Sequence, residues 1–149
     1  MVQSAIGVAL VHITDADVQS VLKLVQNDLF DVGADLAKPE RVGTKKAPLR
    51  ITAGQITTLE REIDKYNDSL APLTSFVLPG GSAASAYLHL ARALVRRAER
   101  DIVELAGLEP INVEALKYVN RLSDMLFVLA RYLNARGASD VLWQPGLSR

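Results

Sequence analysis

The spacing of apolar positions predicts a chain that is helical over most of its length. Val18, Val21, Leu22, Val25, Leu29 and Val32 recur at intervals of three and four, the signature of one buried helical face. Asp15 and Asp17 at the head of that segment suit the positive end of a helix dipole. Ahead of it, QSAIGVALV is in the middle of an apolar pattern with no cap before it, which predicts a shortened first helix. The run KPERVGTKKAPLR, residues 38–50, breaks the period with Pro39, Gly43 and Pro48 and is expected to be a solvated, locally basic connection. Thr52 with Gln55 three residues on has the spacing of a capping box, and Ile56, Leu59, Ile63 and Tyr66 supply the apolar side of the helix that follows. Pro72 ends that helix or follows its end. In FVLPGGS, Gly80 and Gly81 permit backbone angles closed to other residues and predict a tight turn. Ser82 is then the N-cap of a helix to about Leu105, roughly 36 Å long at 1.5 Å per residue. A last helix is expected over about 112–136, with Leu116, Val119, Leu122, Leu126, Leu129 and Leu133 as its spine and Gly137 closing it. No segment sustains strand alternation. The fold class is therefore all-α, a bundle of four or more long helices forming a single domain over residues 1–149.

Composition narrows the functional classes. The chain has 149 residues, 49% of them apolar and 23% charged, enough to bury a substantial core. Lys and Arg number 17, as do Asp and Glu, so there is no global field to draw the protein to nucleic acid or an anionic membrane, and any anion site is local. The basic run around Lys45 and Lys46 is short and lacks the interleaved aromatics of a single-strand-binding surface. With no cysteine there is no disulfide framework or thiolate metal site, which fits a reducing, cytoplasmic setting. The first basic residue is Lys23, so SAIGVALVHI lacks the leading charge of a signal peptide, and it is too short to span a bilayer. Neither His12 nor His89 has a glutamate three residues before it, which sets aside a di-iron bundle. His89 is expected to be a packed or interface residue.

One feature of the long helix asks for a partner. In ARALVRRAER, residues 91–100, Arg92, Arg96 and Arg100 recur every fourth position, so three guanidinium groups share one stripe. Like charges at that spacing repel by about 0.2–0.5 kcal/mol per pair on an isolated helix. Arginines snorkelling to solvent or pairing with acids elsewhere would account for the stripe. The interleaved Ala91, Leu94, Val95, Ala98 and Ile102 mean instead that part of it borders packed surface, and the guanidinium fork matches a pair of phosphate oxygens. Glu99 lies beside Arg96 and Arg100, where it either forms a helix-surface ion pair, orients an arginine or holds a metal-bound water. On the last helix Asn120, Asp124, Phe127 and Arg131 form a stripe beside the apolar spine, and a buried Asn must satisfy its amide.

FVLPGGSAASAYLHLARALVRRAER followed by VNRLSDMLFVLARYLN closely resembles the PduO-type ATP:cob(I)alamin adenosyltransferases, and the similarity runs over nearly the whole chain. The resemblance implies a five-helix bundle that assembles as a homotrimer with active sites between subunits. It implies transfer of the 5′-deoxyadenosyl group from ATP to the cobalt of reduced cobalamin, with Mg2+ accompanying the nucleotide. Position by position, Arg96 matches a contact to the ATP phosphates, and Glu99 and Arg100 match further catalytic and ATP-binding positions of the same helix. Asn120 matches an ATP and magnesium contact, and Arg92 matches an arginine paired with an aspartate of the neighbouring subunit. Phe76 matches the aromatic that crowds the lower face of the corrin, and Phe127 a second apolar wall of that pocket.

The sequence departs from the family pattern at its start. Members usually open with a Gly-rich, Thr/Arg-containing loop that wraps the ATP phosphates, then VDELNSAIG, whereas this sequence opens MVQSAIG. Both that loop and the aspartate expected to meet Arg92 are missing from it. The alternative expectation is thus a catalytically impaired module that binds or delivers the corrinoid. A purely structural oligomer is a third reading, but it would have no use for the arginine stripe.

Overall fold

The computed structural model describes residues 1–40 and 48–149. It contains five α-helices: α1 (Val2–Val11), α2 (Ala16–Leu36), α3 (Ala53–Asn67), α4 (Ala83–Ala106) and α5 (Val113–Tyr132). The expected all-α bundle is what forms, and most of the 38–50 connection lies outside the described residues.

The helix starts follow local chemistry. Asp15 accepts from the N–H groups of Asp17 and Val18, Ser82 from Ser85 and Asn112 from Glu114. Each such bond satisfies a donor that the first helical turn leaves without a partner, worth about 1 kcal/mol. At α3 the Gln55 side chain reaches back to the Thr52 N–H at 3.0 Å, the returning half of the capping box.

α5 is the central helix and packs on α4 and α3, while α1 packs on α4. Tyr118, Leu122, Met125, Leu126 and Leu129 of α5 are fully buried with Ile6 of α1, Leu22 of α2 and Leu88 of α4. Ala5 and Ala9 of α1 and Ala84 and Ala91 of α4 are also buried, and such small side chains let two helix backbones approach closely.

Two buried carboxylates tie α2 to the rest. Asp35 Oδ1 accepts from Arg50 at 2.7 Å, and its Oδ2 accepts from the Ile51 N–H at 2.7 Å and the Asn112 amide at 2.8 Å. The same Arg50 nitrogen donates to the carbonyls of Asp35 and Lys38, which the end of α2 leaves without helical partners. One turn of contacts thus joins the end of α2, the start of α3 and the N-cap of α5. Two turns earlier, Asp28 accepts from the Tyr118 hydroxyl at 2.9 Å and from Gln55 at 3.1 Å. Burial first, and the Asp28 charge second, hold the Tyr118 hydroxyl protonated well above the ordinary tyrosine range.

Two expectations need correction, and one feature lay beyond the reach of periodicity. The last helix ends at Tyr132, not near 136, because Asn134 leaves helical geometry and Ala135 and Arg136 adopt positive φ. Asn134 is almost wholly buried. Its Oδ1 accepts from the Ser82 N–H at 2.8 Å, and its amide nitrogen donates to the Gly80 carbonyl at 3.1 Å and the Ser85 hydroxyl at 2.8 Å. Those contacts outweigh the helical register of the leucine spine. In the turn before α4 only Gly81 needs glycine, with φ of 95° and no room for a Cβ, which would sit 2.4 Å from the Asn134 amide; Gly80 has no positive φ. Finally, a two-residue antiparallel ribbon forms between β1 (Val77–Leu78) and β2 (Val141–Leu142), in the register Val77 to Leu142 and Leu78 to Val141. Strands of two residues carry no period that a sequence pattern could reveal.

Candidate active site

α4 and α5 run side by side and between them carry both polar stripes. Arg92 is half-buried, with its guanidinium 5.1 Å from the Phe127 ring centre on α5. Its Nε is buried, and no acceptor for it exists among the described residues. One turn on, Arg96 is exposed and contacts Glu99 Oε2 at 3.3 Å. Glu99 Oε1 accepts from the Asn120 amide at 3.1 Å, which bridges α4 to α5. The Asn120 carbonyl oxygen in turn accepts from Arg121 Nε at 3.2 Å and Nη2 at 2.7 Å. Arg121 Nη2 also pairs with Asp124 at 2.8 Å. The order of these bonds sets the amide orientation, since a carboxylate needs a donor and a guanidinium needs an acceptor. Arg100 is exposed and makes no ion pair among the described residues.

Of these residues Glu99, Asn120 and Arg121 line a cleft of about 380 Å³, together with Ile56 and Glu60 of α3 and Val103 of α4; Arg96 lies outside its walls. A second cavity, of about 680 Å³, opens on the same pair of helices and is walled by Leu73, Phe76, Val77, Arg92, Phe127 and Trp143. Arg92 precedes Glu99 by seven residues and Asn120 precedes Phe127 by seven, so the polar cleft and the aromatic cavity are separated by roughly 10 Å along both helices. That is the scale of one nucleoside.

The candidate residues therefore fall into two groups. Arg96, Glu99 and Asn120 join one hydrogen-bonded chain; Phe76, Arg92 and Phe127 share the other cavity; Arg100 is exposed and joins neither group among the described residues. Arg131, read as part of the polar stripe, is instead buried. Its Nε pairs with Asp140 at 2.8 Å and its Nη2 donates to the Ala71 carbonyl at 2.9 Å, fastening the segment that leads to β2. Sequence reading passed over Arg121 and Trp143. Arg121 follows Asn120 directly, so only its side-chain direction could reveal the pairing. Trp143 had a signal, being the chain's single tryptophan in a tail with little apolar content.

His89 is packed as expected, its ring edge-on to Phe127 at 6.2 Å. Burial foremost, and Arg92 next, push its pKa below the ordinary 6.5, with Asp140 opposing weakly. The unfolded chain takes up a proton near that value while the folded chain refuses it until lower pH, so stability should decline as pH falls below about 6.5. Melting temperatures at pH 7.5 and 5.5 should show a larger drop for the wild type than for His89→Gln, whose side chain does not titrate.

Residues 1–133 match the family model described as cobalamin adenosyltransferase. Over 150 aligned residues the chain is 51% identical to the corrinoid adenosyltransferase of Mycobacterium tuberculosis, covering 98% of this chain and 76% of that protein. The chain belongs to the cobalamin adenosyltransferase family. Another adenosyltransferase of the family, the corrinoid enzyme of Bacillus subtilis, is 40% identical over 146 residues, spanning 95% of this chain and 74% of its own. Among solved structures, a variant PduO-type ATP:corrinoid adenosyltransferase from Lactobacillus reuteri complexed with cobalamin and ATP superposes with a TM-score of 0.85 at 34% identity, covering 96% of this chain and 80% of that one. A second variant of that adenosyltransferase, complexed with ATP, also superposes with a TM-score of 0.85. No helix among the described residues is long and apolar enough to cross a membrane.

Proposed function

We propose that this chain transfers the 5′-deoxyadenosyl group of ATP to the cobalt of reduced cobalamin, releasing triphosphate. The observation that carries this reading is the placement, on one pair of helices, of an arginine-bearing polar cleft beside an aromatic cavity large enough to admit part of a flat macrocycle. The bond from C5′ to the triphosphate oxygen breaks as a bond from C5′ to cobalt forms with the cobalt(I) electron pair, and the leaving electron pair stays on the triphosphate. Little proton transfer is called for. What the protein supplies is positioning and fixed cations where leaving-group charge grows.

In this reading Arg96 and Arg100 face the phosphates, and their exposure in the single chain is what a ligand-facing cation requires. Glu99 accepts from Arg96 with one carboxylate oxygen and from Asn120 with the other, so it links the cation to α5 before the nucleotide arrives. Mg2+ enters with ATP: one carboxylate and one amide fit an ion that keeps waters and phosphate oxygens as most of its ligands. Coordination by the Asn120 oxygen requires Arg121 to release it, so Glu99 and Asn120 would hold the metal while Arg121 keeps its pair with Asp124 and is free to turn toward phosphate.

Phe76 and Phe127 would wall the corrin, excluding water and the lower axial ligand and so making the cobalt easier to reduce. Arg92 would find its acceptor in a carboxylate of a neighbouring subunit, which suits a buried Nε lacking one within the chain. Self-association, as in a homotrimer, is in keeping with the exposed apolar side chains of α1 and α4, among them Val8, Val11, Tyr87 and Leu90. The cytoplasm is the compartment that fits a cysteine-free enzyme using ATP and a strongly reduced substrate.

The test is direct. Chain supplied with ATP, Mg2+ and chemically reduced cobalamin should form the photolabile cobalt–carbon bond of adenosylcobalamin, followed by its absorption spectrum. Cobalamin binding without that product would favour a delivery module, and binding of neither ligand would remove both readings.

A further inference from the structure

Phe76 sits on a loop with 75% of its surface exposed, and the only aromatic ring near it among the described residues is that of Trp143. An exposed phenylalanine has several staggered rotamers open to it, whereas a cavity wall requires one. The structure supplies a restraint. The backbone N–H of Trp143 donates to the Phe76 carbonyl at 2.8 Å, and the Ser75 hydroxyl donates to the Trp143 backbone carbonyl at 2.7 Å. These main-chain bonds set where the two side chains leave the ribbon, and the restraint on the Phe76 ring itself comes from the indole beside it. The two rings lie 5.8 Å apart at a tilt of 51°, a favourable aromatic arrangement.

The restraint is itself anchored. A two-stranded ribbon is marginal alone, but β2 begins directly after Asp140, whose carboxylate is nearly inaccessible and pairs with buried Arg131 of α5. Rigidity therefore passes from the core helix through Arg131 and Asp140 to β2, then to Trp143, and from it to Phe76.

We infer that Trp143 is a positioning residue for the corrinoid: it holds the Phe76 ring in the orientation that meets the face of the macrocycle and closes the cavity beside it. This rests on the corrin reading of the cavity. A ring displaced by about 1 Å from a reacting centre lowers rates by about 10- to 100-fold, whereas ATP, bound in the neighbouring cleft, is untouched.

The experiment uses the full chain with cob(II)alamin and ATP, read by the absorption shift that marks loss of the lower axial ligand, and by steady-state turnover with a chemical reductant. Trp143→Ala should lower kcat about 10- to 100-fold with the KM for ATP unchanged, and should weaken the absorption shift. Trp143→Phe, which keeps a ring against Phe76, should restore most of both. Trp143→Leu preserves apolar bulk if the alanine variant does not fold, and should show the same kcat loss. Wild-type kcat and absorption shift in Trp143→Leu or Trp143→Ala, with the shift lost in Phe76→Ala, would overturn the inference and leave the corrin reading standing. A fall in melting temperature with an undiminished shift would overturn it too. If cobalamin fails to quench the fluorescence of Trp143 in the wild type, no corrinoid is bound and the underlying reading fails first.

Discussion

Arg96→Ala is expected to lower kcat/KM for ATP by about 100- to 1,000-fold, the range seen when one preorganised donor to a developing negative charge is removed. The same change should barely alter folding. The Arg96 side chain is half exposed and its contact to Glu99 is a surface pair at 3.3 Å, and such pairs contribute about 0–1 kcal/mol. Steady-state kinetics beside thermal melting separates the two effects. Arg96→Lys should fall between, since it keeps the charge and loses the fork. Matching losses of activity and melting temperature in the alanine variant would mean that Arg96 serves packing.

The opposite pattern is expected at Asp35. Asp35→Ala removes the acceptor for Arg50, for the buried Ile51 N–H and for the Asn112 amide at once. Breaking a buried pair by deleting one partner costs about 3–5 kcal/mol; here Arg50 and Asn112 keep backbone carbonyl acceptors and the Ile51 N–H is left desolvated and unmatched, which sets the cost near the lower end. Against a total stability of about 5–15 kcal/mol this is severe, and melting should fall by roughly 10 °C. Asp35→Asn keeps one acceptor and should be intermediate, while Glu109→Ala at an exposed site should be near neutral. Calorimetry or a circular-dichroism melt decides it. An unchanged Tm in Asp35→Ala would show that the junction of α2, α3 and α5 is held by apolar packing alone.

These two residues differ in how visible they were beforehand. Arg96 belongs to a stripe that helical periodicity exposes, and the motif around it carries a resemblance specific enough to point to phosphate. Asp35 is one acidic residue near the end of an amphipathic segment, and nothing nearby marks it as buried. Its partners lie 15 to 77 residues away. The site shows the same division. Asn120 was singled out because a polar amide beside an apolar spine demands partners, but Arg121 needed a side-chain direction that no spacing encodes. Phe76 and Phe127 came from the family motifs, whereas Trp143 entered only when β2 folded back onto β1.

By itself the sequence determined the helical segments, the capping box at Thr52 and Gln55, the N-cap at Ser82, the apolar faces and the arginine row, because each follows from interactions within about four residues along the chain. The tertiary structure alone decided where α5 stops, how Asp35 and Asp28 bind three helices, and which aromatic rings meet at the cavity. Those outcomes rest on hydrogen bonds and contacts between segments far apart in sequence, where burial makes an unmatched polar group costly enough to override local helical preference.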